Sequence, residues 1–152
     1  MNTAAAFKAH FNAVFPHLDQ LKKEEDRLPG RELAEVVVAG LRKRGFQTTD
    51  VKCEEPFFTT VCSLGSFKYE ILSYIYVPDE IDPIWAVECP SPVGFFARLF
   101  GKSDKHEHGT LLDALHDVLN DEPKIREIRW FKELPGAPFE EGKYGTSPRE
   151  DA

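Results

Sequence analysis

Two alternating runs joined by the pair Gly65-Ser66 constrain this chain more than any other feature of its sequence. Residues 57–64 and 67–77 are rich in β-branched and aromatic side chains in period two, and a two-residue link containing glycine is the tightest hairpin connection. Such a turn fixes the register. It sets Leu64 opposite Phe67, Cys62 opposite Tyr69 and Thr60 opposite Ile71, so that these side chains share one sheet face with Phe58, Ile75 and Val77. This face is expected to be the core side. The opposite face carries Ser63 with Lys68 and Val61 with Glu70 near the turn, then Phe57, Leu72, Tyr74 and Tyr76.

Around this hairpin the pattern predicts an α+β fold, with a mainly antiparallel sheet of about five strands packed by helices near both ends of the chain. The remaining strands are expected at 47–54, 84–89 and 125–131. Phe7, Phe11, Val14, Leu18 and Leu21 recur at steps of three and four, which predicts a first amphipathic helix broken at Pro16. After the charged run 22–27 and the turn Leu28-Pro29-Gly30, a second helix should turn Leu33, Val36, Val37 and Leu41 inward. It should stop at Gly45, with Arg42, Lys43 and Arg44 near the negative end of its dipole. Thr110 followed by Asp113 resembles a capping box for a third helix carrying Leu111, Leu112, Leu115, Val118 and Leu119 and closed by Pro123. The expected order is α-α-β-β-β-β-α-β in one domain over 1–131, with 132–152 a polar tail of little packing value.

Charge and cysteine usage narrow the functional classes. A net charge of −7 repels phosphate backbones and anionic lipid, which disfavours nucleic acid and membrane surfaces as partners. No apolar run approaches a membrane span, and the first fifteen residues lack the pattern of a secretory signal. Cys53, Cys62 and Cys89 are odd in number and widely spaced, fitting reduced thiols of a cytoplasmic protein better than a disulfide framework or a zinc site.

Motifs for chemistry fail on spacing. Gly101-Lys102-Ser103 follows a predicted strand, but the glycine that a phosphate loop needs five residues earlier is Phe96. His106, His108 and His116, with Asp104, Glu107, Asp113 and Asp117 nearby, have metal-ligand chemistry, yet His106 and His108 are expected in a loop and no zinc spacing is met. Nucleophile-elbow, His-Glu-x-x-His and Cys-x-x-Cys signatures do not occur, and a distant pair such as Cys89 with His116 is the remaining route to catalysis. Neither a cofactor nor a metal is expected, and the chain reads as non-enzymatic.

Between Lys68 and Arg98 stand Glu70, Asp79, Glu80, Asp82 and Glu88 with no Lys or Arg, five acids that give this stretch −5. They bracket Tyr74, Tyr76 and Trp85. Ordinary solubility explains an acidic hairpin loop at 78–83. Aromatic anchors within complementary charge also describe a docking surface for a basic protein partner, with all eight residues as candidate contacts. A second apolar segment, Phe95, Phe96, Leu99 and Phe100, fits either a cover for the core or an interaction patch.

Residues 33–46, the meander 69–85, Arg98-Leu99-Phe100-Gly101-Lys102 and 125–130 resemble small, acidic, stand-alone bacterial proteins, some similar to immunity proteins that neutralise toxins. The likeness is one of length, acidity and element order. It implies a protein-binding module that blocks a toxin. The alternatives are an acidic homodimeric secretion chaperone and a small enzyme with a non-local active site. The thiol reading is directly testable: titration of unfolded, unreduced protein should count all three cysteines, and a lower count or stoichiometric zinc contradicts it.

Overall fold

The computed structural model describes residues 1–13, 28–79, 81–92, 105–135 and 143–150. In chain order its elements are β1 (Ala4–Ala9), α1 (Arg31–Lys43), β2 (Gln47–Thr48), β3 (Lys52–Glu54), β4 (Phe57–Leu64), β5 (Phe67–Val77), β6 (Ile84–Glu88), α2 (Lys105–Asp121) and β7 (Ile125–Phe131). The strands form one antiparallel sheet in the order β2-β4-β5-β6-β1-β7, with β3 also on β4. The fold is therefore α+β, with seven strands among the described residues where about five were expected.

The hairpin has the register set by its turn: Leu64 pairs with Phe67, Cys62 with Tyr69 and Thr60 with Ile71. Phe67 is buried and Lys68 exposed, as alternation requires. One residue departs from the pattern. A bulge between Ile75 and Val77 brings Val77 opposite Ile84, and Val77, expected in the core, is exposed. One extra residue is enough to move a side chain off its face.

The expected first helix is a strand at its described end. Phe7 and Phe11 are four apart, a spacing common to a helical turn and to two strand repeats, so their periodicity does not discriminate. The deciding pattern is Ala5, Phe7, Ala9 and Phe11 in period two, all buried, with Ala4 and Ala6 buried on the reverse face. A strand inserted between β6 and β7 suits small side chains on both sides, and this tertiary pairing overrides the helix propensity of alanine. Val14, Pro16, Leu18, Leu21 and the charged run 22–27 lie outside the described residues.

The expected strand 47–54 divides into β2 and β3. Between them Thr49 side-chain and backbone atoms replace the ladder: its hydroxyl accepts the Val61 N–H at 2.9 Å and its carbonyl accepts the Thr60 hydroxyl at 2.7 Å. At the end of α1, Gly45 (φ +88°) lets its own N–H reach the Arg42 carbonyl and the Phe46 N–H reach that of Leu41, the two bonds of a Schellman stop. Helix α2 begins at Lys105, five residues before the expected cap. Thr110 is interior, with its hydroxyl donating to the His106 carbonyl at 2.9 Å, so the capping-box reading is corrected.

Both helices pack on the face that carries Phe7, Cys62, Tyr69, Ile71, Trp85, Val87 and Trp130, which together with Leu33, Val37, Leu41, Leu111, Leu112, Leu115 and Leu119 form the main core. Close packing of the two helices depends on Gly40. A Cβ there would lie 2.6 Å from Val118 Cγ1 and 3.2 Å from Val118 Cβ. Alanine normally stabilises a helix interior by about 1 kcal/mol over glycine. Here the sign should reverse: Gly40→Ala is expected to destabilise by roughly 1–3 kcal/mol through overpacking. In a denaturant-unfolding cycle, Val118→Ala in the same chain should recover most of that loss, and a stabilising Gly40→Ala would contradict the close approach.

Candidate functional site

The sheet divides the candidate docking residues between its two faces. Trp85 opposes Phe7 and Ile75 on the helix-covered face, is fully buried, and donates its indole N–H to the Ala9 carbonyl at 3.2 Å. It is a core residue and presents no ring to a partner. Tyr74 pairs with Ala86, and Leu72 with Glu88, on the opposite face. There the rings of Phe57 and Tyr74 meet edge to face at 4.9 Å, and Tyr76 follows at 6.5 Å from Tyr74. The Tyr74 hydroxyl donates to Glu88 Oε2 at 2.7 Å. Phe57, Leu72, Tyr74, Tyr76, Ile84 and Glu88 are all half-buried, and Glu70 is exposed beside them.

Sequence reasoning placed Phe57 and Leu72 on this face without including them in the site. Ile84 was missed, although alternation with the buried Trp85 along β6 puts it on this face. Deeper in the same face Ala4, Ala6, Ala86 and Phe131 are buried, and Tyr144 lies 6.1 Å from Phe131 with the Arg129 guanidinium 4.7 Å over its ring.

Cations from distant strands alter the electrostatics of the acidic segment. Asp82 binds Lys8 at 2.9 Å and Arg126 at 2.8 Å, and Glu127 binds the same lysine at 3.2 Å. The Lys8 ammonium, then the Arg126 guanidinium, hold the Asp82 carboxyl below its ordinary value. Asp79 points into its own turn, where its Oδ1 accepts the backbone N–H groups of Ile81 and Asp82, both at 2.8 Å; these bonds lower its pKa. Both acids brace the loop, and Ile81 stands 89% exposed at its tip. Glu80 lies outside the described residues, as do Asp104, the Gly101-Lys102-Ser103 turn and the Phe95, Phe96, Leu99, Phe100 segment. Glu70, Tyr74, Tyr76 and Glu88 are thus the members of the expected set that the sheet brings together.

Helix α2 separates the histidines. His106 is exposed. His108, expected in a loop, is helical and buried, stacked 5.1 Å from Tyr69, with its Nε2 donating to the Cys89 carbonyl at 2.7 Å and Ser91 Oγ 3.4 Å from Nδ1. His116 Nδ1 accepts the Trp130 indole N–H at 3.0 Å, so the imidazole that meets Cys89 is His108. Among the described residues no group of three or more His, Cys, Asp or Glu is placed to hold a metal ion, and no helix is long and apolar enough to cross a membrane. Burial pushes the Cys62 thiol up to about 11 and raises that of Cys89, which disfavours the reactive thiolate at both. An open pocket of about 410 Å³ beside Arg44, Gln47, Ser63 and Thr110 contains none of the expected docking residues.

Comparison with family models, with curated proteins and with solved structures finds no match to this chain. The geometry therefore carries the functional reading. It also sets a pH dependence: burial, then the Glu88 carboxylate, raises the Tyr74 phenol pKa in the folded protein. A raised folded pKa gives stability that is complete below the unfolded value of about 10 and is lost as pH rises beyond it. Stability should accordingly fall above about pH 10, and Tyr74→Phe should flatten that fall in urea titrations between roughly pH 9 and 11. An identical alkaline slope in the variant would contradict the contact.

Proposed function

We propose that this protein works by binding another protein through the aromatic face of its sheet, as an immunity-type protein that blocks a toxin would. The observation that carries this reading is the division of the sheet. Both described helices cover one face, while Phe57, Leu72, Tyr74, Tyr76 and Ile84 form a half-buried apolar row on the other, bordered by Glu70 and Glu88. Aromatic side chains held by neighbouring strands suit anchoring, because little conformational freedom remains to be lost on binding. The proposed partner offers an apolar patch edged by basic groups, with Glu70 and Glu88 as the complementary charges. In this reading Asp79 and Asp82 hold the adjoining loop in shape, and Trp85 supports the face from behind.

Site-specific photocrosslinking in cells that produce the protein tests this directly. A benzophenone side chain at position 72 or 76 should capture one discrete protein, whereas the same group at the exposed position 117 of α2 should not. With that protein purified, Tyr74→Ala combined with Tyr76→Ala should raise Kd about 30-fold or more, the equivalent of about 2 kcal/mol. Glu70→Gln should mainly slow association and reduce its salt dependence. Equal capture from position 117, or an unchanged Kd in the tyrosine variant, contradicts docking on this face.

A further inference from the structure

Residues 143–150 form a clasp rather than the tail expected from their polarity. Gly145 and Pro148 are buried, and Gly145 exchanges two backbone hydrogen bonds with Trp130 on the outer edge of β7, at 2.9 and 2.8 Å. Asn2, 2% exposed, ties the chain start to this segment: its side-chain amide donates to the Ser147 and Glu150 carbonyls at 3.2 and 2.6 Å, and its backbone N–H donates to Pro148 at 2.7 Å. Arg149 adds a fork to Asp113 on α2, with Nε–O distances of 3.1 and 2.9 Å. A Cβ at Gly145 would lie 2.3 Å from the Glu150 carbonyl oxygen, so the clasp closes only around glycine.

The clasp sits where a sheet is most open to a foreign strand. At the other end of the sheet, β4 is shielded by two short pieces, β2 and β3. At the β7 end, the bulge at Ala6/Lys8, with Glu127 at φ +56°, distorts the first half of the strand. Bulges and charges are the usual protection for such edges. Beyond the bulge, Trp130 is bridged among the described residues by Gly145.

We infer that the clasp is an edge guard, and that opening it exposes a β7 edge able to pair antiparallel with β7 of a second copy. Trp130 directs its N–H and C=O outward to Gly145, so period two makes Ile128 the next outward-facing position. An antiparallel pair centred on Ile128 is symmetric, as a twofold dimer requires. It places Glu127 opposite Arg129 of the second copy, and the reverse contact follows by symmetry. While the clasp is closed, the Arg129 guanidinium lies over Tyr144, which leaves with the clasp.

The test uses the full chain. Gly145→Val, and separately Asn2→Ala with Arg149→Ala, open the clasp by different means; sedimentation equilibrium then compares each with the unaltered protein, and near-UV circular dichroism checks the core. Opened chains should show a concentration-dependent shift towards dimer and a loss of amide protection at Gly145. Adding Arg129→Glu should abolish that shift, and the exchange Glu127→Arg with Arg129→Glu should restore it. The inference is overturned if folded opened variants keep the mass distribution of the unaltered protein, or if their association ignores the Arg129 charge. If Gly145→Val does not fold, the Asn2 and Arg149 variant, which removes side-chain ties alone, decides by the same criteria.

Discussion

The backbone pairing of Ala4–Ala9 between β6 and β7 is the interaction on which the rest of this structure depends. Without that strand β7 has no neighbour in the ladder, and the sheet would end at β6. Its side chains explain why it can occupy a central position. Ala4 and Ala6 are buried on one face, while Ala5, Phe7 and Ala9 join the main core on the other. The Ala9 carbonyl then receives the Trp85 indole N–H, so one of the two fully buried tryptophans has its polar atom satisfied by the strand that packs against it.

The same strand gives the sheet two chemically different faces. The helix side is mainly apolar, with Thr60, Ser73 and His108 as its buried polar side chains. On the other side Lys8, Asp82, Arg126 and Glu127 form an exposed ion-pair group at one end, and the tyrosine row lies over β5. Exposed ion pairs of this kind contribute little stability individually. Their effect is geometric. Lys8 and Arg126 tie Asp82 to the strands β1 and β7, and Asp79 accepts the N–H groups of Ile81 and Asp82 in its own turn.

What could be read from sequence follows from how local each cause is. The Gly65-Ser66 turn, the paired runs beside it, the Gly45 stop of α1 and the final strand Ile125–Phe131 are set by neighbouring residues, and all stand as expected. Non-local causes were not legible. Phe7 and Phe11 fit both periods, and the strand character of Ala4–Ala9 is decided by partners nearly eighty and more than a hundred residues away. The negative stretch from Glu70 to Glu88 looked uncompensated because Lys8 and Arg126 reach it from other strands. Polar composition likewise concealed the clasp, which is held by backbone bonds with Asn2 and Trp130 and by bonds from the Asn2 side-chain amide to its carbonyls. The candidate face is legible for Tyr74 and Tyr76 by alternation, whereas the inward face of Trp85 depends on pairing with β1, whose spacing of Phe7 and Phe11 also fits a helix.

Native-state amide hydrogen exchange at Ala5, Ala6 and Phe7 tests the central claim most directly. Amides of a central strand exchange through global opening, with the slowest amides of the protein, whereas those of a peripheral helix open locally. The account predicts that these three amides share the protection and denaturant dependence of Tyr69 and Ile71 in β5. Exchange by local fraying, with protection well below that of β5 and little dependence on denaturant, would contradict a sheet organised around β1.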